Sequence, residues 1–137
     1  MRCLIQYLGM GFQYELSNRA KVLYHCCGDV LEYLPDFIDI GYDAWNPVQV
    51  SCPSLSDTSS LKKLYGDKVT FWGGGVDTQK TLPFGSPEEV QAEVRHRIKD
   101  LKSGGGFVFA AVHNIQRGVP PENILACFDT ALKESWY

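Results

Sequence analysis

Long apolar runs are missing from this sequence. A membrane-spanning helix needs roughly 18 or more consecutive apolar residues, and uncharged stretches such as Cys3 to Tyr14 and Gly104 to Gln116 are shorter and broken by Gln or His. A secretory leader is missing from the expectation as well: Gln6, Gln13 and Glu15 interrupt any apolar segment after Arg2, and no small-residue cleavage site follows. Neither sign of charge is in great excess. Thirteen basic residues stand against sixteen acidic ones, spread without blocks, which leaves no electrostatic footprint for nucleic acid or an anionic membrane. The five cysteines (Cys3, Cys26, Cys27, Cys52, Cys127) are odd in number, and the adjacent pair is poorly placed to bridge itself. Free or metal-bound thiols in a reducing, cytoplasmic setting are the expectation.

What is present is a globular composition: 137 residues, 45% hydrophobic and 21% charged, enough for one domain and too apolar for disorder. Residues 1–20 form an irregular opening segment, in which Leu4, Ile5, Leu8, Met10 and Phe12 suit a helix or a strand covering a sheet edge. From residue 21 to 137 the pattern repeats strand then helix. The expected strands are Lys21 to Cys26, Asp43 to Val50 cut short by Pro47, Lys68 to Trp72, and Phe107 to Val112, the last fully buried. Helices are expected from Val30 to about Ile40 with Leu31, Leu34 and Ile38 inward, from Asp57 or Ser59 to Tyr65, and from Ser86 to a stop at Ser103. A final helix follows Pro120 and Pro121, with Ile124, Leu125, Phe128, Ala131 and Leu132 as its apolar positions. Pro35 should weaken the first helix, while Ser86, Pro87 and Glu89 spell a capping box.

Strand starts 22, 25 and 38 residues apart fit βα units of a parallel sheet. A closed eight-stranded barrel takes about 250 residues, so four units make half of a TIM barrel. Such a half has open edges, and a complementary half-barrel or a second copy is the expected partner.

In parallel α/β folds, chemistry gathers where strands end. His25 and Cys27 stand two apart at the first strand end, so both project to one side while Cys26 projects to the other. At the fourth lie His113, Asn114 and Gln116. Imidazole and thiolate are the ligands zinc prefers, and a catalytic zinc keeps three of them with one position open. His25, Cys27 and His113 would make such a set; the plain alternative is packing and hydrogen bonding at a buried strand end. Asn46 and Gln49 suit orientation of a small polar substrate or simple loop capping. Gly73 to Gly75, followed by Asp77 and Gln79, would either cradle a phosphate or allow a tight turn. His96 falls on an exposed helix stripe, and Gly104 to Gly106 sits on the opposite rim.

The segments VLYHCCGD (22–29), GYDAWNPVQV (41–50), LKKLYGDKVTFWGGGVD (61–77), SPEEV (86–90) and GGGFVFAAVHNIQRGVPPENI (104–124), in that order, resemble the C-terminal half of the uroporphyrinogen decarboxylase superfamily. The resemblance implies an eight-stranded βα barrel and one of two chemistries, with the chain inactive without an N-terminal half. In the methyltransferase branch a His-x-Cys pair, matched by His25 and Cys27, holds zinc with a later Cys, and a methyl group passes to or from a corrinoid on a partner protein. Here His113 stands at the later position. A single anionic ligand leaves the zinc positively charged, a stronger Lewis acid suited to polarising a methyl-donor oxygen. In the decarboxylase branch, which serves porphyrin biosynthesis, a Gly-His-Gly segment falls there and only His113 matches; its substrate-binding arginines and carboxylate lie mainly outside this chain. The resulting expectation is a zinc-assisted methyltransferase. His25, His113 and Asp77 would be its catalytic residues, and Asn46, Gln49, Gln79 and Gln116 would line the substrate mouth. Alternatives are porphyrinogen decarboxylation by a completed barrel, or a non-catalytic half-barrel that binds a partner.

Overall fold

A computed structural model describes residues 21–136; the expectations placed on residues 1–20 lie outside the described part. Four short strands, β1 (Leu23–His25), β2 (Ala44–Asn46), β3 (Thr70–Trp72) and β4 (Phe107–Val108), form one parallel sheet in the order β1-β2-β3-β4. The chain is an α/β fold built as half of a TIM barrel. Alternation along each strand sorts side chains between two faces. Tyr24, Trp45 and Phe71 turn toward the helices, with Trp45 and Phe71 buried and their rings edge to face at 6.1 Å. Leu23, His25, Trp72 and Val108 turn to the other face and stay exposed.

The ladders are shorter than the sequence suggests, for local reasons. Pro47 ends β2, since it has no N–H to donate; Val48 and Val50 remain buried outside the ladder. The expected fourth strand keeps its ladder only over Phe107–Val108 and is not fully buried, Val108 being 36% exposed. Beyond it the chain still runs beside β3's continuation: the Gly75 amide donates to the Ala110 carbonyl at 2.9 Å and the Val112 amide to that of Val76 at 3.2 Å. Gly74 makes that course possible. Its φ is +83°, and a Cβ there would stand 2.8 Å from the Val48 Cβ.

The first helical segment splits into a 3-10 turn, Leu31–Tyr33, and α1 (Leu34–Asp39). Pro35 starts α1 instead of weakening it, because a first-turn residue needs no N–H partner. Leu34 and Phe37 are its buried residues, while Leu31 and Ile38 pack partly buried against the same cluster. Helix α2 (Thr58–Tyr65) is capped by the Asp57 carboxylate, which accepts from the Ser60 amide. A single turn that the sequence did not signal, α3 (Thr81–Phe84), precedes α4 (Pro87–Leu101).

Helix α5 (Pro121–Glu134) departs from expectation in its facing. Asn123, Ala126, Cys127, Thr130 and Ala131 are buried, whereas Leu125, Phe128 and Leu132 are 64%, 43% and 67% exposed. The small-residue stripe packs with Val90, Val94 and Ile98 of α4 and with Leu82, and the side-chain amide of Asn123 donates to the carbonyls of Leu82 and Gly85. Two buried groups of side chains result, one under β1–β3 and one between α4 and α5, joined where Phe107 touches both.

The capping box is present as read. The Glu89 carboxylate accepts from the Ser86 amide at 2.7 Å, and the Ser86 hydroxyl accepts from the Glu89 amide at 3.3 Å. Replacing Ser86 by Ala should lower unfolding free energy by about 1 kcal/mol, read as a lower urea midpoint with unchanged slope. An unchanged midpoint would mean the cap contributes nothing to α4.

Candidate functional site

The C-terminal ends of β1 and β2 and the chain after β4 enclose a cavity of about 420 Å³. It is lined by His25, Asn46, Ala110 to Ile115 and Phe128. Two of the three residues singled out as zinc ligands, His25 and His113, therefore share one cavity. Cys27 joins them through His25: its Sγ lies 3.7 Å from His25 Nε2. As the strand alternation requires, His25 and Cys27 are exposed together while Cys26 packs partly buried against the core.

Parallel register places the partner of this pair. His25 and Asn46 stand opposite each other on β1 and β2, and the imidazole Nδ1 meets Asn46 Oδ1 at 2.6 Å. The Asn46 amide nitrogen in turn donates to the Trp72 carbonyl at 3.2 Å, so three consecutive strand ends are joined by side chains. The loop carrying Cys27 is held from the same side: Gln49 Oε1 accepts from the Gly28 amide at 2.7 Å, and the Ser54 hydroxyl donates to Asp29.

Other residues proposed from sequence lie elsewhere. Asp77 is buried, and its Oδ1 accepts from the amides of Gln79 and Lys80, holding the turn that leads into α3. Gln79 is exposed, and neither it nor Asp77 lines the cavity. Gln116 donates to the Asn114 carbonyl at 3.1 Å, folding its loop on itself. His96 is exposed, 3.5 Å from Asp100. Among the described residues no three His, Cys, Asp or Glu side chains are grouped to hold a metal ion, so His113 shares the cavity without closing a triad. Trp72 and Phe128 at this site were not signalled by residue order, since both depend on register and on how α5 faces.

A further cavity of about 510 Å³ lies at the other end of the strands, between Lys62, Asp67, Asp100 and Gly104. There the Lys62 ammonium donates to the Gly105 carbonyl, sits 5.8 Å over the Phe71 ring, and has its pKa lowered by burial. That cation closes the base of the sheet, the rim associated with stability in such barrels.

The described cysteines separate by surroundings. Cys27 is exposed. Cys127 is buried between α4 and α5, and burial, aided by the charge of Glu93, pushes its thiol up to about 12. Thiol alkylation followed by peptide mass spectrometry should label Cys27 in the native chain and Cys127 only on unfolding. Equal native rates at the two would contradict this packing.

Comparison with known proteins agrees with the architecture. The family profile described as uroporphyrinogen decarboxylase (URO-D) matches residues 7–133, beginning ahead of the segment that the sequence pattern marked off at 21. The uroporphyrinogen decarboxylase of Pseudoalteromonas atlantica is 32% identical over 79 residues, 58% of this chain and 21% of that protein. Those of Pseudoalteromonas translucida and Thioalkalivibrio sulfidiphilus are 35% identical over 65 residues and 28% over 100, covering 47% and 68% of this chain. The chain spans between 18% and 28% of the length of these relatives. It belongs to the uroporphyrinogen decarboxylase family.

Proposed function

We propose that this chain supplies the C-terminal wall and mouth of a uroporphyrinogen-decarboxylase-type barrel, and that its site serves zinc-assisted methyl transfer to or from a corrinoid carried by a partner protein. The observation that carries this reading is the 3.7 Å separation of His25 Nε2 and Cys27 Sγ. Two ligands at zinc bond lengths of about 2.0 and 2.3 Å, at a tetrahedral angle, stand about 3.5 Å apart. That pair fits a metal as it stands. The third place does not: His113 lines the same cavity, but among the described residues no three metal-ligating side chains are grouped.

A zinc held there would supply Lewis-acid polarisation of a methyl-donor oxygen. The chain's own residues do the rest. Asn46 keeps the His25 ring in place, Gln49 and Ser54 hold the Cys27 loop, and Ala110, Ala111, Val112, Ile115 and Phe128 give the cavity its apolar lining. The exposed face with Leu23, Trp72 and Val108 is the surface that a complementary half-barrel would cover, in keeping with the chain's small share of its relatives' length.

A second reading, decarboxylation of a porphyrinogen by the completed barrel, is favoured by the names of the three relatives. There His113 and Asn114 would be polar contacts for the substrate and no metal would be needed. Metal analysis separates the two. Chain purified without chelator should carry close to one zinc per molecule, and His25→Ala or Cys27→Ala should weaken zinc at least tenfold by calorimetry. Folded wild-type chain that binds no zinc would remove the methyl-transfer reading and leave decarboxylation.

A further inference from the structure

Hydrogen-bond chemistry at the strand ends fixes which nitrogen of His25 carries the proton. The anchor is the Trp72 carbonyl, a group that can only accept. The side-chain atom of Asn46 lying 3.2 Å from it must therefore be the NH2 group, which fixes the other end of the amide as oxygen. That oxygen, 2.6 Å from His25 Nδ1, can only accept in its turn. The Nδ1 atom must carry the hydrogen, and in the neutral imidazole Nε2 is left with a bare lone pair. Nε2 is the atom 3.7 Å from the Cys27 sulfur.

We infer that Asn46 is a positioning residue: pinned by the Trp72 carbonyl, it holds His25 as the Nδ1–H tautomer and thereby presents Nε2, toward Cys27, as an acceptor of a hydrogen-bond donor or a Lewis-acid cation. Asn46 thus acts through His25, its NH2 group donating to the Trp72 carbonyl and its oxygen accepting from Nδ1. Gln49 Oε1 likewise accepts from the Gly28 amide, beside Cys27. Whatever enters at this corner meets a lone pair and not an N–H. The inference goes beyond the methyl-transfer reading and does not require it, because it concerns the metal-free chain.

The test is two-bond proton–nitrogen correlation NMR on the uniformly nitrogen-15-labelled full chain without metal, at about pH 8, above the ordinary imidazole range. Wild-type His25 should show Nδ1 as the protonated nitrogen and Nε2 as the bare one. Asn46→Ala should convert it to the Nε2–H form that prevails for a histidine free in water. Asn46→Asp, which keeps an acceptor opposite Nδ1, should retain the wild-type pattern. His96, which is exposed on α4, gives an internal reference in each spectrum. A wild-type His25 protonated at Nε2 would overturn the inference, as would a folded Asn46→Ala chain with an unchanged pattern. If Asn46→Ala does not fold, the wild-type spectrum decides alone.

Discussion

Register in the parallel sheet is the constraint on which the site depends. Because Leu23, Tyr24 and His25 pair with Ala44, Trp45 and Asn46, and Ala44 and Trp45 with Thr70 and Phe71, the three strands end together. A slip of one residue would turn each strand's side chains to the opposite face. His25 would then point into the helix layer, and Asn46 would lose both its imidazole and the Trp72 carbonyl. The buried residues Trp45 and Phe71, with Tyr24 packed partly buried beside them, set that register. Exchanging the two faces would expose these rings and bury His25, Asn46 and Thr70.

The division of labour between the faces follows from this. One face is filled by aromatic and branched side chains under the helices and holds the strands in place. The other face leaves Leu23, Trp72 and Val108 exposed and presents the polar strand ends, so chemistry is displayed by a scaffold whose stability lies elsewhere. The C-terminal helix shows the same economy in another form. It packs inward with Ala, Cys, Thr and Asn and leaves Leu125, Phe128 and Leu132 outward, with Phe128 completing the cavity wall beside Phe109. Leu125, Phe128 and Leu132 thus form an outward apolar stripe among the described residues.

Much of this was legible from residue order. The βα repeat, the Ser86 capping box, the common projection of His25 and Cys27, and the strand ends as the place for chemistry all rest on local rules of periodicity and capping. What was not legible depends on pairing across distance. That Asn46 stands against His25 follows only from register, and that the Asp77 carboxylate accepts from the Gln79 and Lys80 amides follows only from the turn it closes. Likewise, the face of α5 could not be read from hydrophobicity, because it packs inward with Ala126, Cys127, Thr130 and Ala131 and leaves Leu125, Phe128 and Leu132 outward. His113 was correctly placed at the rim of the His25 cavity, yet proximity in one cavity is a weaker condition than convergence on one ion.

The most direct test of the account is anomalous diffraction from crystals of the chain grown with zinc, recorded on both sides of the zinc absorption edge. The account predicts a peak within bonding distance of both His25 Nε2 and Cys27 Sγ, at the mouth shared with His113. Zinc seen only elsewhere on the surface, with that position empty and both side chains ordered, would contradict it.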